Sequence, residues 1–368
     1  MRVAFDSSHV TGDFASGKLV VRVTMEDDTQ GLTWQDTIFF SVPPDFHAHN
    51  DLVAAALMAA VGRGFSLVRF NFPVSTRCAD VLPRYHHAEV ISRIDPHLEP
   101  RQPGRFLGIS FSGGLDSVAL WTLLRDVARI PFKVITAEYD GFHRESVGYA
   151  SYQRDVSCWT NFRTVLGDRG RRFDAAIPLL FADYADLYAF ATGHQFASIP
   201  SLWNDPASGD PPEFLSQNAV AEAGGLEELH ILRCLDTAAV LQFLVATAPD
   251  RIERAWIASA RPQMSKSVVK ALMLAHAFRR TGQPVPAYLQ RIRLPRFPER
   301  RGVASIVHLR LIWVHRFAGP HIARRVFALA NGTDWTPLEQ LSLEMYWKYI
   351  PSLTTLIPEA FRETLLAG

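Results

Sequence analysis

Apolar and polar positions in the first hundred residues fall into short runs with strand character. Lys18 to Glu26 and Thr37 to Val42 are β-branched and aromatic, and Ser66 to Val74 alternates with Val68, Phe70, Phe72 and Val74 on one face. Between them Asp51 is placed to cap an Ala-rich helix that ends near Gly62. These elements predict a small α/β domain over residues 1–100. Asp95 to Gly104 closes it, because Pro96, Pro100 and Pro103 remove backbone donors and neither a helix nor a central strand continues through them.

The pattern then changes. A continuous apolar strand, Phe106 to Ser110, runs into a polar, glycine-containing loop, and Val118, Trp121, Leu124 and Ala128 follow at helical spacing until Pro131. Phe132 to Tyr139 reads as a second strand, and the short helical crossover implies parallel pairing with the first. Further strands are expected at Phe173 to Leu180 and Ala255 to Ala260, with a helix over Leu235 to Thr247 between them. Strands alternating with helices predict a doubly wound parallel sheet over residues 101–280, with ligands bound beyond the carboxyl ends of the strands. Asn204 to Pro212, rich in Asn, Asp, Pro, Ser and Gly, reads as an exposed loop over the substrate. Residues 281–368 predict helices parted by Gly319-Pro320, Asn331-Gly332 and Pro351.

The loop after the first of these strands carries the chemistry. Ser112, Gly113, Gly114, Leu115, Asp116 and Ser117 stand between a strand and a helix. Two glycines let the backbone turn and bring N–H groups close to an anion, and the helix N-terminus adds partial positive charge. Ser112 and Ser117 are placed to donate to phosphate oxygens, Ser110 joins them among the nucleotide-binding candidates, and Asp116 is placed to hold a metal ion or cap the helix.

The run SGGLDS resembles the PP-loop of the N-type ATP pyrophosphatase superfamily. That resemblance implies the adenine nucleotide alpha-hydrolase-like fold, ATP and Mg²⁺ as cofactors, and a loop that holds the β,γ-pyrophosphate while a substrate oxygen attacks the α-phosphate. Asp116 is the expected metal ligand, and Ala137 to Asp140, with Ala137 and Glu138 as the nucleotide-binding candidates, lies at a strand end from which its main chain is expected to face adenine. The order of pieces over Arg105 to Ala277 is similar to 7-cyano-7-deazaguanine synthase: Arg233 falls where that family has an Arg-Asn pair, and Lys266 in MSKSVVKALML resembles its TKAEIV segment. A cation at each position opposes the negative charge that builds on the α-phosphate. Asp116, Lys266 and Arg233 are therefore the expected catalytic residues. Ala191 to Gln195, ATGHQ, resembles a stretch of PP-loop tRNA-modifying enzymes, although the residues before it predict a helix.

The departures narrow the expectation. The synthase has a four-cysteine zinc site, whereas this chain has Cys78, Cys158 and Cys234, far apart, so no zinc is expected. Cys234 stands where the synthase has Asn. The expected reaction is adenylation of a carboxyl or carbonyl oxygen of a small molecule or protein, pyrophosphate release, and transfer to a nitrogen nucleophile. The alternatives are tRNA or nucleobase modification and a nucleotide-binding module without turnover.

Two other signals lead elsewhere. GDFASGKL, Gly12 to Leu19, approaches a Walker A loop, but Leu19 replaces the Ser or Thr that reaches Mg²⁺ and a strand follows. His47, His49, His86 and His87 lack acidic or Cys partners at ligand spacing and read as surface or packing residues.

Composition adds three points. With 48% hydrophobic and 20% charged residues, the chain of 368 residues is that of an ordinary globular protein of two or three domains. A net charge of +1 argues against whole-molecule steering toward nucleic acid. Yet Arg279, Arg280, Arg291, Arg293, Arg296, Arg300, Arg301, Arg310, Arg316, Arg324 and Arg325 are opposed only by Glu299 across 279–325, a patch suited to RNA, a nucleotide or an acidic partner. No secretion-signal layout occupies Met1 to Val10, and Leu52 to Val61 is too short to span a bilayer. A cytoplasmic protein without membrane contact, working as a homodimer or with a partner protein, is the expectation.

Overall fold

A computed structural model describes residues 1–27, 29–61, 65–86, 89–139, 144–166, 173–196, 219–259, 264–295, 305–331, 334–339 and 342–367. Ten strands among them form one mostly parallel sheet: β1 (Arg2–Ser7), β2 (Lys18–Asp27), β3 (Leu32–Ser41), β4 (Leu67–Val74), β5 (Glu89–Ile94), β6 (Phe106–Ser110), β7 (Phe132–Tyr139), β8 (Val156–Thr160), β9 (Leu187–Ala191) and β10 (Glu227–Leu229). Their order is β10-β9-β6-β7-β8-β3-β2-β1-β4-β5.

The five strands from β10 to β8 are mutually parallel. From β6 the chain moves outward through β7 and β8, then returns to β6's other side to lay down β9 and β10. The direction of winding thus reverses between β6 and β9, which opens a crevice at their carboxyl ends. Side chains that alternate along these strands feed two cores. Leu107, Ile109, Val134 and Ala189 pack on one face, whereas Ile135, Cys158, Leu187 and Phe190 pack on the other. Coverage of both faces is compatible with a doubly wound α/β fold.

The core around Ile135, Cys158, Leu187 and Phe190 is covered by α1 (Asn50–Val61), α2 (Thr76–His86), α5 (Phe162–Leu166), α6 (Phe173–Leu180) and α7 (Ala219–Ala223). The other is covered by α3 (Leu115–Thr122), α8 (Thr237–Thr247), α10 (Ser265–Arg280) and C-terminal helices including α12 (Ser305–Ala318) and α13 (Pro320–Val326). Between these lie the short α4 (Glu145–Tyr149), α9 (Ile252–Ser259) and α11 (Ala287–Gln290).

The sheet continues through the N-terminal hundred residues, where β3 meets β8 antiparallel at Phe40 and Thr160. The proline-containing segment 95–104 is pinned where Arg101 donates to Asp183 and to the carbonyls of Ala182, Leu187 and Gly225. Asp51 lies in the first turn of α1, and its carboxylate accepts the N–H and hydroxyl of Ser75.

Three expected elements differ. Phe173–Leu180 is a helix, α6, and the segment from Ala255 belongs to helix α9. An apolar run of eight fits a buried helix as well as a strand, and tertiary packing decides. ATGHQ follows a strand, β9, rather than a helix. The third and fourth strands of the parallel core are β8 and β9, whose few residues carry Cys, Trp and Ala. The Asn204 to Pro212 loop lies outside the described residues, as do His87, Arg296, Arg300 and Arg301. Among the described residues no helix is long and apolar enough to cross a membrane.

Candidate active site

A cleft of about 370 Å³ opens at the winding reversal, walled by the loop after β6, the end of β7, the segment after β9, and residues of α9, α10 and α12. Its loop is held by close backbone contacts. Gly113 has φ of 71°, and a Cβ there would lie 2.5 Å from the backbone of Gly148. A Cβ on Gly148 would in turn meet the Gly113 carbonyl oxygen at 2.5 Å. On the opposite side, a Cβ on Gly193 would lie 2.8 Å from the carbonyl carbon of Asp116. Glycines on three separate elements therefore let main chain approach main chain around the turn.

Hydroxyls complete the loop. Ser112 Oγ lies 3.3 Å from Ser117 Oγ, and Ser117 donates to the Gly114 carbonyl at 3.0 Å. Leu115 is buried in the core, and its N–H donates to Ser259 Oγ at 2.9 Å. Helix α3 begins after Gly114 with no side-chain cap, so its first turn faces the cleft with the positive end of the helix dipole.

Three cations converge on Asp116. Lys270 Nζ, 2% exposed, donates to both carboxylate oxygens at 2.8 and 2.6 Å. Burial opposes the Asp116 charge, but Lys270, Lys266 and Arg310 outweigh it and hold the carboxyl below its ordinary range. Burial pulls Lys270 down to about 8 against the raising effect of Asp116. Lys266 and Lys270 stand four residues apart on α10 and so share one face.

The far end is mixed in character. Burial lifts Glu145 to about 7, against the lowering effect of Arg163 and Lys266. Arg163 lies over the Phe173 ring at 4.2 Å, and the Tyr139 hydroxyl donates to the Phe173 carbonyl at 2.9 Å. Thr192 Oγ is buried with no hydrogen-bond partner among the described residues, and Thr192 lines the cleft. Asp174, His194 and Glu228 offer ligand-type atoms within 4.8 Å of one another, and the first two line the cleft. They are the described residues grouped so that they could hold a cation.

Of the residues singled out in the sequence, Ser110, Ser112, Gly114, Asp116, Ser117, Ala137 and Lys266 line this cleft, and Gly113 shapes its loop. Glu138 is instead paired with Arg154. Arg233 is buried in the turn before α8, outside the cleft lining. Cys234, next to it, is buried and raised to about 11 by that burial. Lys270 escaped the sequence reading, although its spacing from Lys266 was a usable signal. Gly148 and Arg163 gave no signal, since each acts through a contact distant in sequence.

ATP and Mg²⁺ fit this site differently. The N-terminus of α3, three cations and the buried Thr192 hydroxyl suit a polyphosphate. Asp116, with both oxygens taken by an ammonium group, does not present a metal-ligand arrangement. No protein-family model, no curated protein and no solved structure matches the chain.

Proposed function

We propose that the protein is an ATP-dependent synthetase of the PP-loop type with an adenine nucleotide alpha-hydrolase-like core. The observation that carries this reading is the position of SGGLDS: it joins a parallel strand to a helix at the winding reversal, with Lys266, Lys270 and Arg310 gathered at Asp116. The loop N–H groups and Ser112 and Ser117 hold the β,γ-pyrophosphate, and the cations oppose the negative charge of the five-coordinate α-phosphate. Mg²⁺ bound with the nucleotide would neutralise phosphate charge, with no ligand supplied by Asp116.

A substrate carboxyl or carbonyl oxygen forms the new bond to the α-phosphorus. The bond from that phosphorus to the bridging oxygen breaks, and pyrophosphate leaves with the electron pair. A nitrogen nucleophile then attacks the activated carbon and loses a proton, and AMP departs.

The test is isotope exchange between labelled pyrophosphate and ATP, together with product analysis over a panel of carboxylic acids, proteins and RNAs. AMP and pyrophosphate in equal amounts, formed only with an acceptor, are expected; ADP and orthophosphate would overturn the reading. Asp116→Ala and Ser112→Ala should each abolish exchange.

RNA or nucleobase modification is the second reading, favoured by the place of ATGHQ. The segment follows β9 and packs on the phosphate loop through Gly193. Arg279, Arg280, Arg291, Arg293, Arg316, Arg324 and Arg325 are exposed, while Arg310 lines the cleft. An RNA acceptor predicts binding that weakens steeply with salt, and a small acceptor does not.

A further inference from the structure

The β2–β3 hairpin leaves part of a strand edge open in the middle of the sheet. Over Leu32 to Ser41, β3 pairs with β2 along its whole length but meets β8 only at Phe40. Beyond that point Asn161 takes the place of a neighbouring strand: its Oδ1 accepts the Phe39 N–H at 2.9 Å, and its Nδ2 donates to the Thr37 carbonyl at 3.0 Å. The Thr37 N–H is taken by Asp36 Oδ1 at 2.7 Å.

These bonds fix which residues face outward. N–H and C=O of one residue point to the same side of an antiparallel strand, and the side alternates. Since Thr37 and Phe39 face away from β2, Gln35 and Thr33 do as well. Among the described residues no strand pairs with that side of β3 before Phe40.

Asn161 and Asp36 cover the edge at Phe39 and Thr37, whereas at Thr33 and Gln35 the other usual protections are missing. Leu32 to Thr37 contains no Lys and no Pro, and the β2–β3 register runs without a bulge. Leu32 is 61% exposed, Trp34 38%, and Trp159 on neighbouring β8 45%. Main-chain groups and apolar side chains together are what an added strand uses.

Charge selects the occupant. Asp27, Asp28 and Asp36 lie in this hairpin sequence beside Glu26, which is paired with Arg2 at 3.8 Å, and neither Lys nor Arg occurs between Arg22 and Arg63. A second copy paired about a two-fold axis would bring both sets of carboxylates together. A segment carrying Lys or Arg would neutralise them instead.

We infer that the open edge of β3 at Thr33 and Gln35 docks an extended, basic segment of a partner protein as an added strand. Because β3 runs antiparallel to β8, the residues before Phe40 project past the carboxyl ends of the parallel strands, the end at which the cleft opens. Trp34 lies about 20 Å beyond Phe40 along the strand, and β3 sits about 10 Å from β7 across the sheet.

The experiment is amide hydrogen exchange on the full chain with two synthetic probes, acetyl-KVTVTVK-amide and acetyl-EVTVTVE-amide. The lysine peptide should slow exchange over 32–37 at least tenfold, and the glutamate peptide should not. Gln35→Pro removes one outward N–H without touching the β2 ladder; it should abolish protection while ATP binding and melting temperature stay unchanged. Asp36→Lys provides a second route and should shift preference toward the glutamate peptide. Three results would overturn the inference: no protection up to the solubility limit, equal protection by both peptides, or protection that rises with chain concentration alone as the measured mass doubles.

Discussion

Lys270 reaches across the cleft floor and gives its ammonium group to both oxygens of Asp116, the acidic residue of the phosphate loop, at 2.6 and 2.8 Å. The pair joins α10 to the start of α3, so the loop's acidic group is fixed by a helix that begins 149 positions after Asp116 itself.

The first prediction follows from burial of that pair. Removing Lys270 leaves a carboxylate without its main counter-charge, so Lys270→Met should destabilise the fold by about 3 kcal/mol in urea unfolding. Adding Asp116→Asn should recover part of the loss, because two neutral groups need no partner. A Lys270→Met chain as stable as wild type would show that Lys266 and Arg310 alone keep Asp116 charged.

Gly148 supports a second prediction. A methyl group there would stand 2.5 Å from the Gly113 carbonyl oxygen and 2.6 Å from Ala258 Cβ, and neither α4 nor the loop can yield alone. Gly148→Ala should cost about 1–3 kcal/mol by overpacking and weaken ATP binding at least tenfold, measured by calorimetry. Gly282→Ala is the control for a glycine in open space: its φ of 72° costs backbone strain, but nothing lies within 4 Å, so ATP affinity should stay unchanged.

How much of this was legible beforehand depends on the range of the interactions. Phe106–Ser110 and Phe132–Tyr139 were readable because a continuous apolar run ends at a glycine loop or follows a proline, both local signals. The loop residues Ser112 to Ser117 were readable for the same reason. Strand β8, VSCWT, has a clean alternation of buried and exposed residues, but five positions with one Cys and one Trp give a weak sequence signal. Phe173–Leu180 misled because all-round burial removes helical periodicity, and Pro178 inside it further obscures the helix. Arg163 and Gly148 could not be found at all, since only the folded sheet brings them to the cleft.

A pH dependence provides the third prediction. Burial raises Glu145 to about 7, so between its unfolded value of 4.5 and 7 the folded chain holds a proton that the unfolded chain has lost. The associated stability is fully present below about 4.5 and is lost as pH rises through 7. The loss is at most about 3 kcal/mol, reduced by water at the partly exposed carboxyl. Asp236, raised to about 6 by burial, adds a change of the same sign at lower pH. In Glu145→Gln, unfolding free energy between pH 6 and 7.5 should be flatter than in wild type. An equal slope in both would mean that Glu145 ionises normally.

The last prediction concerns Cys234, because a sulfur-transfer mechanism needs a thiolate that can reach the adenylate. The nearest charged neighbour in sequence is Arg233, and an exposed thiol beside a guanidinium would be expected to ionise readily. The structure gives the thiol a different setting. Cys234 is 3% exposed within the apolar core of α8 and α10, and burial raises it to about 11, so at pH 7 it is the neutral thiol. Its sulfur lies 4.0 Å from the Ile231 carbonyl, the contact of a small packed side chain rather than of a nucleophile. Cys234→Ser should therefore leave pyrophosphate exchange and product formation within about twofold of wild type and cost about 1 kcal/mol in stability, since a hydroxyl replaces a thiol in an apolar site. Cys234→Ala separates polarity from size and should behave alike in turnover. If Cys234→Ser keeps exchange but stops product formation, and a persulfide mass is found on the wild-type chain during turnover, the nucleophile is sulfur and the nitrogen-transfer step falls.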